Sequence, residues 1–429
     1  MRVNTRRRVS CGWLGAGALT VGLGAALVSG SGVAHADAAD KADAHSSARA
    51  ASSQSAPPAA RARRVAVPPA RPSAAVPPAR PSAAVSPVRP SAAVSAPARP
   101  AAATTYTAGS RLPPRIQWNA NYGYCGETAF VSAGLYYGQY ISQYDARAIA
   151  SKNTRQSLES SQLLLGVNDV AAAKAMHLNA TAFNTAKQPT SRAFLTWVKS
   201  NVVAGSPVVI GVFANQSRFY GTANLNAGDT EYDHIVTVTG ITSTRSLTGP
   251  TTGPTTYYAD DVLTFNDGGL WTGTNGQPQN SFNYSFGTFA TTRQRANSKT
   301  GAVYSLKNGA DYGIAITGII DLNRDTVPVR LTTSVNAETP TMVDGSNTRP
   351  AAKPVTLTIT VSSLKPGTTY NLYRYSSMAN VPDSKFNANA AKAAQKWTIT
   401  IPSGSTFTMT QTINSNEIAV YRAVPAGAP

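Results

Sequence analysis

Cysteine is almost missing from this 429-residue chain, which has two, Cys11 and Cys125. Histidine is scarce as well, with four in total and only His177 and His234 beyond residue 100. One Cys and two His cannot supply the four ligands of a structural zinc site, so no metal and no cofactor is expected. The same count excludes the disulfide framework that staples small secreted domains. Runs of about 20 apolar residues are also lacking, so no transmembrane segment is expected in the mature chain. Acidic residues are few, 20 against 38 Lys and Arg.

That charge imbalance invites a nucleic-acid reading until it is divided along the chain. Residues 1–104 hold 13 of the basic and 3 of the acidic residues, which leaves 25 against 17 for the remainder. The excess is spread thinly, with no dense basic stripe interleaved with aromatics, so nucleic acid is not an expected partner.

The N-terminus opens with Arg2, Arg6, Arg7 and Arg8, runs through an apolar stretch from Trp13 to Val28, and reaches the small residues Ala34-His35-Ala36. That pattern is a secretory signal peptide over residues 1–36, and it implies a secreted, extracellular protein. Cys11 precedes the apolar stretch, so it is not read as a lipid-attachment site, and it leaves with the signal. The mature chain then carries one thiol, Cys125. Exported proteins usually pair their cysteines, so a remaining one points to an intermolecular bond or to a thiol kept for chemistry.

Residues 37–104 are mostly Ala, Pro, Ser, Val and Arg, with a nine-residue repeat at Arg71–Val76, Arg80–Val85 and Arg89–Val94. Such a stretch has nothing to build a core from, and its spaced prolines favour extended conformations, so it reads as a disordered, semi-rigid spacer. Its arginines suit contact with an anionic cell envelope.

The remaining residues read as two domains in an α+β architecture. Over 105–325, helices are expected at 125–140, 168–176 (opened by Asn168) and 190–200 (capped by Thr190 or Ser191). Strands follow at 207–213, 234–239 and 261–265. Over 326–429, strands at 329–333, 355–361, 370–375, 397–401 and 418–424, with a turn at Lys365-Pro366-Gly367-Thr368, suggest a β-sandwich. That second region contains neither Cys nor His, so chemistry is expected in the first.

The segment Tyr122-Gly123-Tyr124-Cys125-Gly126-Glu127-Thr128 places the thiol where a Gly-containing loop enters an apolar helix. Unpaired N–H groups and the positive end of the helix dipole favour a thiolate there, and the flanking glycines let a substrate carbonyl approach. A thiolate needs a partner that accepts and later returns a proton, which is the work of an imidazole. His234 opens the strand Asp233-His234-Ile235-Val236-Thr237-Val238; His177 sits at an expected helix end and reads as structural. A third group must fix the imidazole tautomer, and the next strand runs into Asn266-Asp267, either of which could do so. Tyr122 and Tyr124 either line a cleft or pack on the helix.

These residues resemble the papain-like cysteine peptidase superfamily, and most of all its bacteriocin-processing-like branch. The resemblance covers roughly residues 112–270 and rests on the order Cys125, His234, Asn266/Asp267. It implies a papain-like domain, a thiol hydrolase acting on peptide or protein substrates, and an oxyanion held by Gln117 and the Cys125 N–H. Gly126-Glu127-Thr128 stands where that branch has Gly-Pro, and its transporter domains are missing, so leader processing is not expected. The same triad would serve a transglutaminase-like acyltransferase, and a surface adhesion or binding protein with a non-catalytic papain-like scaffold is the reading from another class.

Overall fold

A computed structural model describes residues 104–118, 120–214, 233–249, 253–269, 280–291, 303–307, 309–333 and 345–429. The expected signal peptide, and the spacer up to residue 103, lie outside these residues. The described residues fall in one compact unit.

Strand β1 (Tyr106–Gly109) is followed by helix α1 (Cys125–Tyr136), which is buried all round except at Tyr136. A helix apolar on every side belongs inside a protein, and α1 sits there. It ends four residues before the expected residue 140. Gly138 takes φ +72° and turns the chain, and Gln139–Tyr140 form β2. Helix α2 (Gln143–Ser151) is capped by Ser142, whose hydroxyl accepts from Asp145 N–H at 3.1 Å. Helix α3 (Asp169–Ala175) starts after Asn168, but the expected cap is not made. The Asn168 side chain turns back instead, accepting from Leu164 N–H at 2.9 Å and donating to Gln162 O at 2.9 Å. Strand β3 (Leu178–Ala182) leads to α4 (Ser191–Val203), where Thr190 is the cap.

Then come β4 (Val208–Ala214), β5 (Asp233–Ser243), β6 (Val262–Asn266), β7 (Ser281–Ser285), α5 (Phe286–Thr291), β8 (Tyr304–Ser305) and β9 (Gly313–Ile319). These strands form an antiparallel sheet in the order β3-β9-β4-β5-β6-β7. Strand β5 is its long axis. Its first half pairs with β4, Val212 opposite His234, and its second half with β1, Gly109 opposite Gly240. On its other edge lies β6, with an irregularity between Val238 and Gly240. Alternation along β5 sends Val236 and Val238 into a cluster with α4 and β6, while Ile235 joins the cluster that contains Cys125 and α1.

The last part comprises β10 (Val329–Thr332), β11 (Pro354–Val361), β12 (Thr369–Tyr375), β13 (Gln395–Thr400), β14 (Phe407–Asn414) and β15 (Ala419–Pro425). Two antiparallel sheets, β10-β11-β14 and β13-β12-β15-β2, share one apolar cluster that includes Leu357 and Ile359 from one and Leu372 and Tyr421 from the other. The first and second halves are not separate packing units. Strand β2 completes the second half's sheet, and Tyr373, Val420 and Val424 join the cluster of Cys125, Phe130 and Ile316. Among the described residues no helix is long and apolar enough to cross a membrane.

Candidate functional site

Cys125 is the first residue of α1 and is 2% exposed. Its approach is an unusual stretch of backbone, because Asn121, Tyr122 and Gly123 take φ of 48°, 68° and 82° in succession. Only the glycine adopts this region at no steric cost. The strain is held from several sides. Asn121 donates to Ser346 O at 2.9 Å and accepts from Gly345 N–H at 2.7 Å. Gln162 donates to Tyr122 O at 2.7 Å. Arg147 donates to Asn121 O at 2.8 Å, Gln156 O at 2.9 Å and Gly123 O. The same guanidinium pairs with Glu127 at 2.7 Å, both side chains being 1% exposed or less, and lies 3.6 Å above the Tyr124 ring.

Tyr124 is therefore packing: it is fully buried, donates to Gln156 Oε1 at 2.9 Å, and burial pushes its hydroxyl up to about 12. Gly126 is also explained by packing. A side chain there would put its Cβ 2.0 Å from Leu163 O and 3.2 Å from Ile235 Cδ1. The glycine lets α1 approach the 163 backbone and β5.

Cys11, the other cysteine of the chain, lies outside the described residues.

His234 and Asp267 form a buried pair. His234 Nε2 lies 2.6 Å from Asp267 Oδ1, with exposures of 1% and 0%. Asp267 also accepts from Gly269 N–H at 2.6 Å and, on its other oxygen, from the Tyr304 hydroxyl. Burial pushes the Asp267 carboxyl up, but the charge and hydrogen bond of His234, followed by Tyr304 and Gly269, outweigh it and hold the carboxyl below its ordinary value. A carboxylate on Nε2 fixes the proton there and makes Nδ1 the basic nitrogen. Of the two candidates for this place, Asp267 occupies it, while Asn266 points elsewhere and donates to Leu112 O at 2.9 Å.

Backbone packing brings the segments bearing these residues together. Gly126, next to Cys125, lies against Ile235, next to His234. Gly268, next to Asp267, has no room for a side chain without meeting Thr128 Cγ2 at 3.1 Å, one turn along α1 from the cysteine. Gln117, 6% exposed, donates its backbone N–H to Gly268 O at 2.8 Å, so the 115–117 segment joins the same cluster. Gln143 holds that segment straight, donating to Ile116 O at 2.9 Å and accepting from Trp118 N–H at 3.0 Å.

His177 serves structure. Its Nδ1 lies 2.8 Å from Asp383 Oδ1 and its Nε2 2.9 Å from Met378 O, tying the end of α3 to the second half of the chain. Sequence reasoning missed Tyr304 and Arg147. Tyr304 gave no local signal, since it reaches Asp267 across 37 residues from a cluster of aromatic rings. Arg147 could have been sought, because Glu127 is a charge inside an apolar helix and needs a buried partner. Among the described residues no group of three His, Cys, Asp or Glu side chains could hold a metal ion.

Comparison of the chain with protein-family models, with curated proteins and with solved structures gives no match.

Proposed function

We propose that this chain is an exported thiol hydrolase, papain-like in fold and mechanism, that cleaves peptide or isopeptide bonds with Cys125 as nucleophile and His234 as base. The observation that carries this reading is the buried His234–Asp267 pair, set on strands that pack against the start of the helix bearing Cys125. A carboxylate hidden from water beside an imidazole is costly unless the pair works as a unit, and orienting a catalytic base is such a use.

In this mechanism the Cys125 sulfur attacks the scissile carbonyl as Nδ1 of His234 takes the thiol proton. The oxyanion is met by the Cys125 N–H at the helix start and by the side chain of Gln117. Collapse to the thioester releases the amine with the proton returned by His234, and water, deprotonated by the same nitrogen, completes hydrolysis. Asp267 stays ionised and steadies the imidazolium. Cleavage of the signal peptide removes Cys11, and the cycle starts from the Cys125 thiol.

The test is covalent labelling. Reduced protein treated with an epoxysuccinyl electrophile should gain one adduct, mapped to Cys125 by mass spectrometry, and His234→Ala should abolish it. Equal, slow labelling of both proteins would favour a non-catalytic scaffold. Export is checked by N-terminal sequencing of protein from the medium, which should begin at Asp37.

A further inference from the structure

A groove of about 750 Å³ is lined by the segment 107–114, by β5 and β6, and by Ser281 and Arg330. Its charge is one-sided. Among the described residues Arg111 and Arg330 line it, no Asp or Glu does, and neither arginine pairs with a carboxylate. Both side chains are exposed. Arg330 is pre-positioned, its guanidinium 4.0 Å above the Tyr136 ring and donating to the Tyr136 hydroxyl at 2.6 Å. The floor is bare backbone where Gly109 faces Gly240 in register. A Cβ on Gly109 would fall 2.2 Å from Thr239 O, so the two chains meet there without side chains. Much of the remaining lining is Thr and Ser hydroxyls.

Both walls of this groove run on into the candidate site. The 107–114 segment continues to Arg115 and Gln117, which pack on Gly268; β6 ends at Asn266, the groove residue that precedes Asp267. Asn266 also bonds to Leu112 O, closing the walls together at that end. A chain lying in the groove therefore ends beside the segment that carries Asp267.

We infer that this groove receives an acidic stretch of the peptide substrate, with Arg111 and Arg330 binding its carboxylates. The inference rests on the peptide-hydrolase reading for its occupant, but its charge preference is measured separately. Guanidinium groups bind carboxylates in a paired, directional way, and two arginines with no carboxylate partner in the lining of a polar groove select against a basic chain as well as for an acidic one. The excess of basic over acidic residues in the chain beyond the spacer adds attraction at long range.

The experiment is fluorescence anisotropy with full-length Cys125→Ala protein and two labelled peptides, one rich in glutamate and the other with glutamine at the same positions. The glutamate peptide should bind at least tenfold more tightly, and the advantage should shrink in high salt. Arg111→Gln and Arg330→Gln should each weaken it several-fold while leaving the glutamine peptide unchanged. In reduced protein with Cys125 intact, the same two substitutions should raise KM for an acidic peptide and leave kcat unaltered. Equal binding of both peptides, or a preference that survives both substitutions, overturns the inference. Cleavage without acidic preference overturns it while sparing the hydrolase reading; acidic preference without cleavage of any peptide does the reverse.

Discussion

The hydroxyl of Tyr304 donates to the carboxylate oxygen of Asp267 that His234 leaves open. All three side chains are buried, and the Tyr304 ring is held edge-on by Phe265 at 5.0 Å and Phe282 at 4.9 Å between centroids. Strand β8, which carries Tyr304, pairs with the end of β4, while β4 also pairs with the start of β5 that carries His234. The carboxylate is thus gripped by a side chain from β5, the neighbour of β6, and by another from β8, which joins the sheet at β4, and its orientation toward the imidazole has little freedom.

Tyr304→Phe keeps the ring in its aromatic setting and removes only the donor. Asp267 then has a buried oxygen with one partner fewer, which costs about 1.5–3 kcal/mol for a hydrogen bond to a charged group. Urea denaturation should show that loss. If the tyrosine orients the carboxylate, the rate of Cys125 alkylation should fall and its pH profile should shift, whereas a purely structural tyrosine would alter the midpoint alone.

Acid should unfold the protein partly through Asp267. Its folded pKa is depressed, so its contribution is present above the unfolded value of about 3.9 and is lost as pH falls through the folded value. Asp169 works in the opposite sense. Burial raises its carboxyl despite the Tyr312 and Gly166 hydrogen bonds, so its contribution is present at low pH and lost as pH rises. Urea midpoints of the parent protein minus those of Asp267→Asn, taken from about pH 6 down to pH 2.5, isolate the first effect. That difference should be largest at the upper end and shrink below about pH 4.

Gly126 offers a sharp contrast with another glycine. Gly126→Ala sets a methyl carbon 2.0 Å from a backbone oxygen that has no rotamer to escape through, and overpacking of this kind should cost about 3 kcal/mol or more. Gly318→Ala, in β9, meets nothing within 4 Å, so its effect should stay within about 1 kcal/mol, on the stabilising side through lost freedom of the unfolded chain. Thermal midpoints of the two variants should separate clearly.

Much of this architecture can be read from residues. Runs such as Val208-Val209-Ile210 and Val355–Val361 carry β-branched and alternating patterns that local physics turns into strands, and most expected strands fall within two residues of their expected bounds, although β5 runs four residues past residue 239 and β1, β3, β7, β9 and β14 were not foreseen. The same pattern at β5 placed His234 at a strand entry, and the Asn266-Asp267 step at the following strand end narrowed the third group to two. What was hidden is what depends on distance along the chain. Strand β2 is two residues long and exists because β15, nearly 280 residues later, offers it an edge. Two apparent domains share a core because Tyr373 and Val420 face α1, a fact that strand periodicity cannot carry. The choice of Asp267 over Asn266 followed from which face of β6 the core occupies. Phe265 points into the aromatic cluster, and the alternation of burial carries on past Asn266, so Asp267 falls on the same buried face.

Arg147 should prove the most sensitive residue outside the proposed triad. It neutralises Glu127 inside the protein and donates to three carbonyls, two of them in the left-handed run before Cys125. Arg147→Met leaves Glu127 buried with only the Leu163 N–H at 3.0 Å to satisfy it. Removing one member of a buried pair typically costs about 3–5 kcal/mol. Adding Glu127→Gln should recover part of that stability, because the stranded charge is gone, yet it cannot restore the donors that hold Asn121 and Gly123 in their strained conformation. The double variant should therefore be folded by circular dichroism and still slow in Cys125 alkylation. Full recovery of both stability and labelling rate would mean that the loop keeps its shape without the guanidinium, and that its strain is held by Gln162 and the 345–346 backbone alone.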